Sequence, residues 1–216
     1  MLHLLSDTPS IANQYIAQMR DINVQADSMR FRRNMERLGE CIGYELSKEL
    51  NYVEYSIETP LGQAPTELPA EELVLANILR AGLPLHQGLL NVFDDAGNAF
   101  VSAYRKHHKD GTFEIEVEYL SCPDLENKVL IVCDPMLATG ASMVLATQAL
   151  LTHGKPSAIH FVVAIGARLG LEYLQRKFPD AHIWLGALDE ELTAKSYIVP
   201  GLGDAGDLSY GAKLQD

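Results

Sequence analysis

The chain has 216 residues, 47% hydrophobic and 21% charged, which is the make-up of a globular protein with one sizeable core. Seventeen basic against 29 acidic residues give a formal net charge of −12, and that balance argues against a general nucleic-acid binder. No apolar run approaches the ~18 residues of a membrane span, and the opening Met1-Leu2-His3-Leu4-Leu5-Ser6 lacks the parts of a secretory signal. Cys41, Cys122 and Cys133 are odd in number and form no Cys-x-x-Cys, so they read as reduced thiols of a cytoplasmic protein.

In chain order, Pro9 to Arg20 reads as a first helix, with Ile11, Tyr15, Ile16 and Met19 on one face. Asp27 to Leu50 reads as a longer one, with Phe31, Met35, Leu38, Ile42 and Leu46 at steps of three or four and Asp27 or Ser28 as N-cap. Arg30, Arg32 and Arg33 near its start read by default as a solvated face or a subunit contact. Tyr52 to Thr59 alternates and is β-branched, so it reads as a strand. Pro60 to Pro69 reads as a turn-rich loop. Leu73 to Leu79 reads as a buried strand ending in Arg80-Ala81-Gly82-Leu83-Pro84. An arginine at a strand tip before a small-residue loop suits an anion, because its planar fork binds oxygens two at a time.

Gly97 to Tyr104 and Phe113 to Leu120 read as paired strands around the basic tip Arg105-Lys106-His107-His108-Lys109-Asp110-Gly111. Val129 to Cys133 is a short apolar run that fits a central parallel strand. Asp134 stands at its end, Pro135 stops further pairing, and Thr139-Gly140-Ala141-Ser142 turns the chain into an apolar helical segment, Met143 to Leu151. Such a layout makes an anion site: helix-start N–H groups point outward, and Thr139 and Ser142 add hydroxyls. No Gly-Lys-Ser/Thr follows, so it is not a Walker P-loop. Ala158 to Ile165, Leu169 to Phe178 and His182 to Ala187 read as strand, helix and strand. The fold class is therefore α/β, a parallel sheet flanked by helices, with ligands beyond the carboxyl ends of the strands. The tail, Tyr197 to Asp207, holds three glycines within six residues, which reads as excluding a regular helix.

Three strings carry a resemblance to the type I phosphoribosyltransferases, and to their uracil phosphoribosyltransferase branch: Ile78-Leu79-Arg80-Ala81-Gly82-Leu83, Asp134-Pro135-Met136-Leu137-Ala138-Thr139-Gly140-Ala141-Ser142 and the Tyr197-Ile198-Val199-Pro200-Gly201-Leu202-Gly203-Asp204-Ala205-Gly206-Asp207 tail. The resemblance implies one domain over 1–216, with supporting helices at 1–50, a hairpin arm at 100–120 and a base-binding hood at 188–216. It implies transfer of the 5-phosphoribosyl group from 5-phosphoribosyl diphosphate (PRPP) to uracil, with Mg²⁺ held through PRPP and water. Arg80, Arg105, Asp204 and the run from Asp134 to Ser142 would bind PRPP, and Ile198, Gly203, Asp204 and Ala205 would bind uracil. Asp134, Asp204 and Arg105 would serve the chemistry. GTP comes into view as an effector, and a homodimer or larger homo-oligomer as the assembly. Four places depart from the family pattern: His86-Gln87, Arg168-Leu169, Thr193 and Leu208. Two other readings stay open: a phosphoribosyltransferase for another base, and a non-catalytic sensor of PRPP or nucleotides.

Overall fold

The computed structural model describes residues 1–107 and 113–213, with side chains from 103 to 117 set aside. The basic tip from His108 to Asp110 and Gly111 lies outside the described residues.

Strand β1 (Leu2–Leu4) leads into helices α1 (Ile11–Arg20) and α2 (Ser28–Ser47). Ser10 caps α1 with its side chain, and Asp27 caps α2 by accepting from the Arg30 amide at 3.0 Å. Next come β2 (Tyr52–Thr59), β3 (Gly62–Pro69), β4 (Leu73–Leu79), α3 (Leu83–Val92), β5 (Gly97–His107) and β6 (Phe113–Ser121). The central unit is β7 (Val129–Cys133), a two-residue β8 (Met136–Leu137) and α4 (Ala141–Leu150). The chain ends with β9 (Ala158–Ala167), α5 (Arg168–Lys177), β10 (His182–Asp189), β11 (Glu191–Leu192), β12 (Ile198–Val199) and α6 (Ala205–Tyr210).

The main sheet runs β1-β10-β9-β7-β4-β5-β6, with β8 also pairing β9. All its pairs are parallel except β5 with β6, which form the expected hairpin. β7 lies in the middle and all five of its residues are buried. Successive side chains point to opposite faces, and the packing follows. Val129, Ile131 and Cys133 join the core under α1, α2 and α3, while Leu130 and Val132 join the core under α4 and α5. Each such side chain contributes about 1.5–3 kcal/mol by leaving water, which fixes the strand whose tip carries Asp134.

Three elements differ from the sequence expectation. Gly62–Pro69 is a strand, not a loop: it pairs with β2 from Tyr52↔Pro69 to Thr59↔Gly62. Its prolines signal a break, but a two-stranded ribbon has outer edges where no N–H is needed, and every β2 residue is exposed, so no burial pattern marks it. β1 is too short to show a period. It is held by His3 stacked on Trp184 at 3.7 Å and by the amino terminus donating to Ala181 O at 2.6 Å. Finally, the glycine-rich tail does contain a helix: Gly201 and Gly203 take positive φ, and α6 starts just after them with Asp204 as N-cap.

Candidate active site

The adjacency of β4 and β7 builds the site. Their parallel register pairs Asn77 with Cys133, so the tips that follow, Arg80 and Asp134, leave the same edge of the sheet side by side. The Leu79–Arg80 peptide is cis. Arg80 Nη2 donates to Asp207 Oδ1 at 3.1 Å and to Gly211 O at 2.7 Å, both on the hood. Three expected parts, the Arg80 loop, the β7 tip and the C-terminal tail, therefore close on one another.

Asp134 is half-buried, and its Oδ1 accepts from the Met136 amide at 3.3 Å. Burial pushes its carboxyl up to about 7; the Met136 bond opposes this and the negative charge of Asp204 adds to it. That coupling places the two expected acids in one electrostatic neighbourhood. Asp204 Oδ1 accepts from the Asp207 amide at 3.0 Å as the cap of α6, and its Oδ2 lies 3.8 Å from Lys213 Nζ.

Between Asp134 and α4 the chain is tightly held. Pro135 and Leu137 are buried, so only their main chain can face a ligand; Met136, Ala138, Thr139 and Ser142 keep partial exposure. Gly140 is the residue before α4 and has φ +81°, a left-handed value that side chains rarely adopt. The helix begins at Ala141, two residues earlier than the sequence suggests, which puts the Ser142 hydroxyl in the first turn with the free amides. Thr139 Oγ1 accepts from the Ala141 amide at 3.4 Å. Support comes from Gly170 of α5, the glycine that follows the departure at Arg168-Leu169: a Cβ there would collide with Ala138 O.

In the hood, Ile198 and Ala205 are buried in the core with Leu202, while Gly203 is exposed at φ +93°. Ile198 and Ala205 therefore form a floor rather than an open wall. A buried clamp ties this segment to the sheet. Arg20 grips Asp189 with two bonds of 2.8 Å and donates to Gly201 O at 2.9 Å, while the Gly201 amide donates to Asp189 at 2.8 Å. Arg32 is neither solvated nor free: it donates to Ser209 O at 2.5 Å, with its guanidinium 5.9 Å from the Tyr210 ring centre. Leu208, one of the four departures, packs beneath Gly203. Thr193 closes the β11–β12 hairpin by accepting from the Tyr197 amide at 3.1 Å. Arg168 forks onto Glu190 at 2.9 and 2.6 Å. Arg105 lies on β5, opposite Ile115, and its side chain is outside those described. Cys133 is fully buried and burial drives its thiol far up, which suits core packing and not nucleophilic work.

A family model described as uracil phosphoribosyltransferase matches residues 5–212. A Porphyromonas gingivalis protein named uracil phosphoribosyltransferase is 51% identical over 206 residues, 95% of each chain. The structure of the AQ2163 protein from Aquifex aeolicus aligns over 100% of both chains, with a TM-score of 0.87 and 32% identity. A hypoxanthine phosphoribosyltransferase from Staphylococcus aureus, at TM-score 0.51 and 16% identity over 74% of this chain and 76% of its own, shares the fold. With the model spanning nearly the whole chain and the three family strings meeting at one sheet edge, the chain belongs to the uracil phosphoribosyltransferase family.

Proposed function

We propose that this chain transfers the 5-phosphoribosyl group of PRPP to uracil, giving UMP and diphosphate, at the sheet edge where the β4 and β7 tips meet the hood. The observation that carries the reading is the convergence of Arg80, Asp134 and Asp204 with the tail that holds Gly203 and Ala205. No protein nucleophile is needed. The bond from the anomeric carbon to diphosphate lengthens, positive charge grows on the ribose, and the uracil ring nitrogen attacks from the opposite face. The protein then has two tasks: to align the reactants and to stabilise the charges that develop.

The amides at the start of α4, with Thr139 and Ser142, take the 5-phosphate, and Gly140 makes the left-handed turn into α4 close against Gly170 and Tyr173 of α5. The backbone from Pro135 through Met136, Leu137 and Ala138 to Ala141 shapes that cradle. Arg80, joined by Arg105 of the arm, holds the leaving diphosphate. Asp134 binds the ribose hydroxyls and sets its charge beneath the developing cation. The exposed Gly203 and the main chain of Asp204 and Ala205 read the alternating donors and acceptors of the uracil edge, above the apolar floor of Ile198. Cytosine is disfavoured because its amino group faces a donor, and an unpaired buried polar group costs about 1–3 kcal/mol. Among the described residues no group of three or more acidic, His or Cys side chains gathers to hold a metal, so Mg²⁺, which the resemblance implies, would be held chiefly through PRPP and its water shell. When bound, that ion neutralises diphosphate charge. The exposed β2–β3 ribbon, with Tyr52, Val53, Tyr55 and Ile57 uncovered, favours a homo-oligomer. GTP as an effector is tested by initial rates with and without it; Arg32 and Arg33 at the start of α2 are already engaged with Ser209 O and Glu36.

Diphosphate release from PRPP, measured with uracil, cytosine, hypoxanthine and adenine in turn, tests the reading. Release with uracil alone supports it. Release with another base and not with uracil reassigns the specificity. No release with any base favours a sensor.

A further inference from the structure

Strand β4 is apolar except at Asn77. Alternation along the strand puts its side chain on the same face as Leu75, which packs with Leu85 and Leu89 of α3. Asn77 has no exposed surface, and both polar atoms of its carboxamide, Nδ2 and Oδ1, are without a hydrogen-bond partner. Buried amides nearly always find partners, and one that does not destabilises the fold. Such a residue asks what it is held there for.

Its position answers. A Cβ on Gly82 would collide with Asn77 Oδ1 and would lie 2.8 Å from Ile78 O. The carboxamide therefore lies directly under the 80–83 loop. The hood covers the other side: a Cβ on Gly206 would lie 3.7 Å from Ala81 Cβ and 3.8 Å from Arg80 Nε. Within the loop, the Gly82 amide donates to Ile78 O at 3.1 Å and the Leu83 amide to Arg80 O at 3.3 Å. A second orphan atom, His86 Nε2, sits one helical turn further on, on a residue only 4% exposed whose amide donates to Gly82 O. The underside of the loop thus holds buried polar atoms without partners.

A loop that binds diphosphate with its main chain must aim N–H groups at the anion. In a trans peptide the carbonyl points the opposite way. Turning an N–H outward therefore turns an oxygen inward, where it needs a donor or becomes a buried orphan itself. We propose that Asn77 is a positioning residue for this loop: with PRPP bound, a peptide of the Arg80–Leu83 stretch turns its N–H to the diphosphate, and Asn77 Nδ2 donates to the carbonyl that turns inward. Gly82 leaves room for the turn, because no side chain blocks it. The orphaned carboxamide of the ligand-free state is then a group kept for the bound state at the expense of stability. The proposal rests on the reading of Arg80 as the diphosphate ligand.

Asn77→Leu tests it, since leucine is similar in size and has no polar atoms. The ligand-free melting temperature should rise by about 2–4 °C, because a buried orphan is removed. The dissociation constant for Mg·PRPP, by calorimetry, should rise about tenfold, the worth of roughly one hydrogen bond. KM for PRPP should rise with it, while kcat at saturating PRPP and KM for uracil stay near wild type. Asn77→Ala is the second variant: it leaves a cavity and lowers the melting temperature, yet should show the same loss of PRPP affinity. Arg80→Ala separates the two layers of the argument. If it binds PRPP normally, the reading of the loop fails. If it loses PRPP while Asn77→Leu and Asn77→Ala bind it as tightly as wild type, Asn77 is a packing residue and the proposal is overturned.

Discussion

Arg80 Nη2 lies 3.1 Å from Asp207 Oδ1, across the gap between the tip of β4 and the hood. The two side chains are 39% and 36% exposed, so the pair contributes no more than about 1 kcal/mol. A pair this weak ties Arg80 to the hood and yet would yield to an incoming diphosphate, as the proposed function requires. Arg80→Lys keeps the charge and loses the planar fork. KM for PRPP should rise about 10-fold or more, the loss of one charge-assisted bond, with the melting temperature almost unchanged. Initial-rate kinetics with uracil held saturating checks this.

Asp134→Asn should cut turnover by about 100-fold or more, as the loss of one preorganised electrostatic contact does. Circular dichroism should show the fold intact. Near-normal turnover would remove Asp134 from the chemistry.

The same carboxyl gives a pH signature. Its ordinary value is 3.8, and burial raises it to about 7 in the folded chain. Between those values the folded state holds a proton that the unfolded chain releases. The stability from this group is therefore full below about pH 4 and is lost as pH rises toward 7. In the ligand-free protein, the melting temperature of Asp134→Asn relative to wild type should climb from pH 4 to pH 8. Parallel curves would mean that Asp134 is solvated and ordinary.

Gly170→Ala places a methyl against Ala138 O. Overpacking of this kind costs about 1–3 kcal/mol, and the residue displaced belongs to the proposed phosphate cradle. Both the melting temperature and the affinity for PRPP should fall, while KM for uracil stays within about twofold because the hood is held by other contacts. Thermal shift with and without PRPP measures both.

Asp189→Ala leaves Arg20 without its partner and the Gly201 amide without an acceptor. Arg20 is partly exposed and keeps Gly201 O, so the loss is about 1–3 kcal/mol, set by the buried Gly201 amide left unpaired. Amide exchange should rise from Gly201 to Gly206, and uracil binding should weaken more than PRPP binding.

The sequence made the apolar, regularly spaced elements legible. β4 and β7 begin and end where their apolar runs do, and Asp27 caps α2 as its side-chain chemistry suggests. Their order placed Arg80 and Asp134 on one edge without coordinates. The β2–β3 ribbon was hidden because strand detection rests on burial on one face and this ribbon is exposed on both. α6 was hidden because glycine count outweighed the Asp204 cap and its bond to the Asp207 amide. The Arg20–Asp189 clamp joins residues 169 apart, and Gly170 matters only through the main chain it touches. Neither leaves a local pattern. Asn77 was read as part of an apolar strand, and only its lack of partners sets it apart.

The most direct test of the central claim is a crystal structure with UMP bound. The account predicts the phosphate at the amides and hydroxyls of Thr139 to Ser142, the ribose hydroxyls on Asp134, and the pyrimidine edge against the main chain of Gly203 to Ala205. A nucleotide bound elsewhere, or a pyrimidine facing away from the hood, would contradict it.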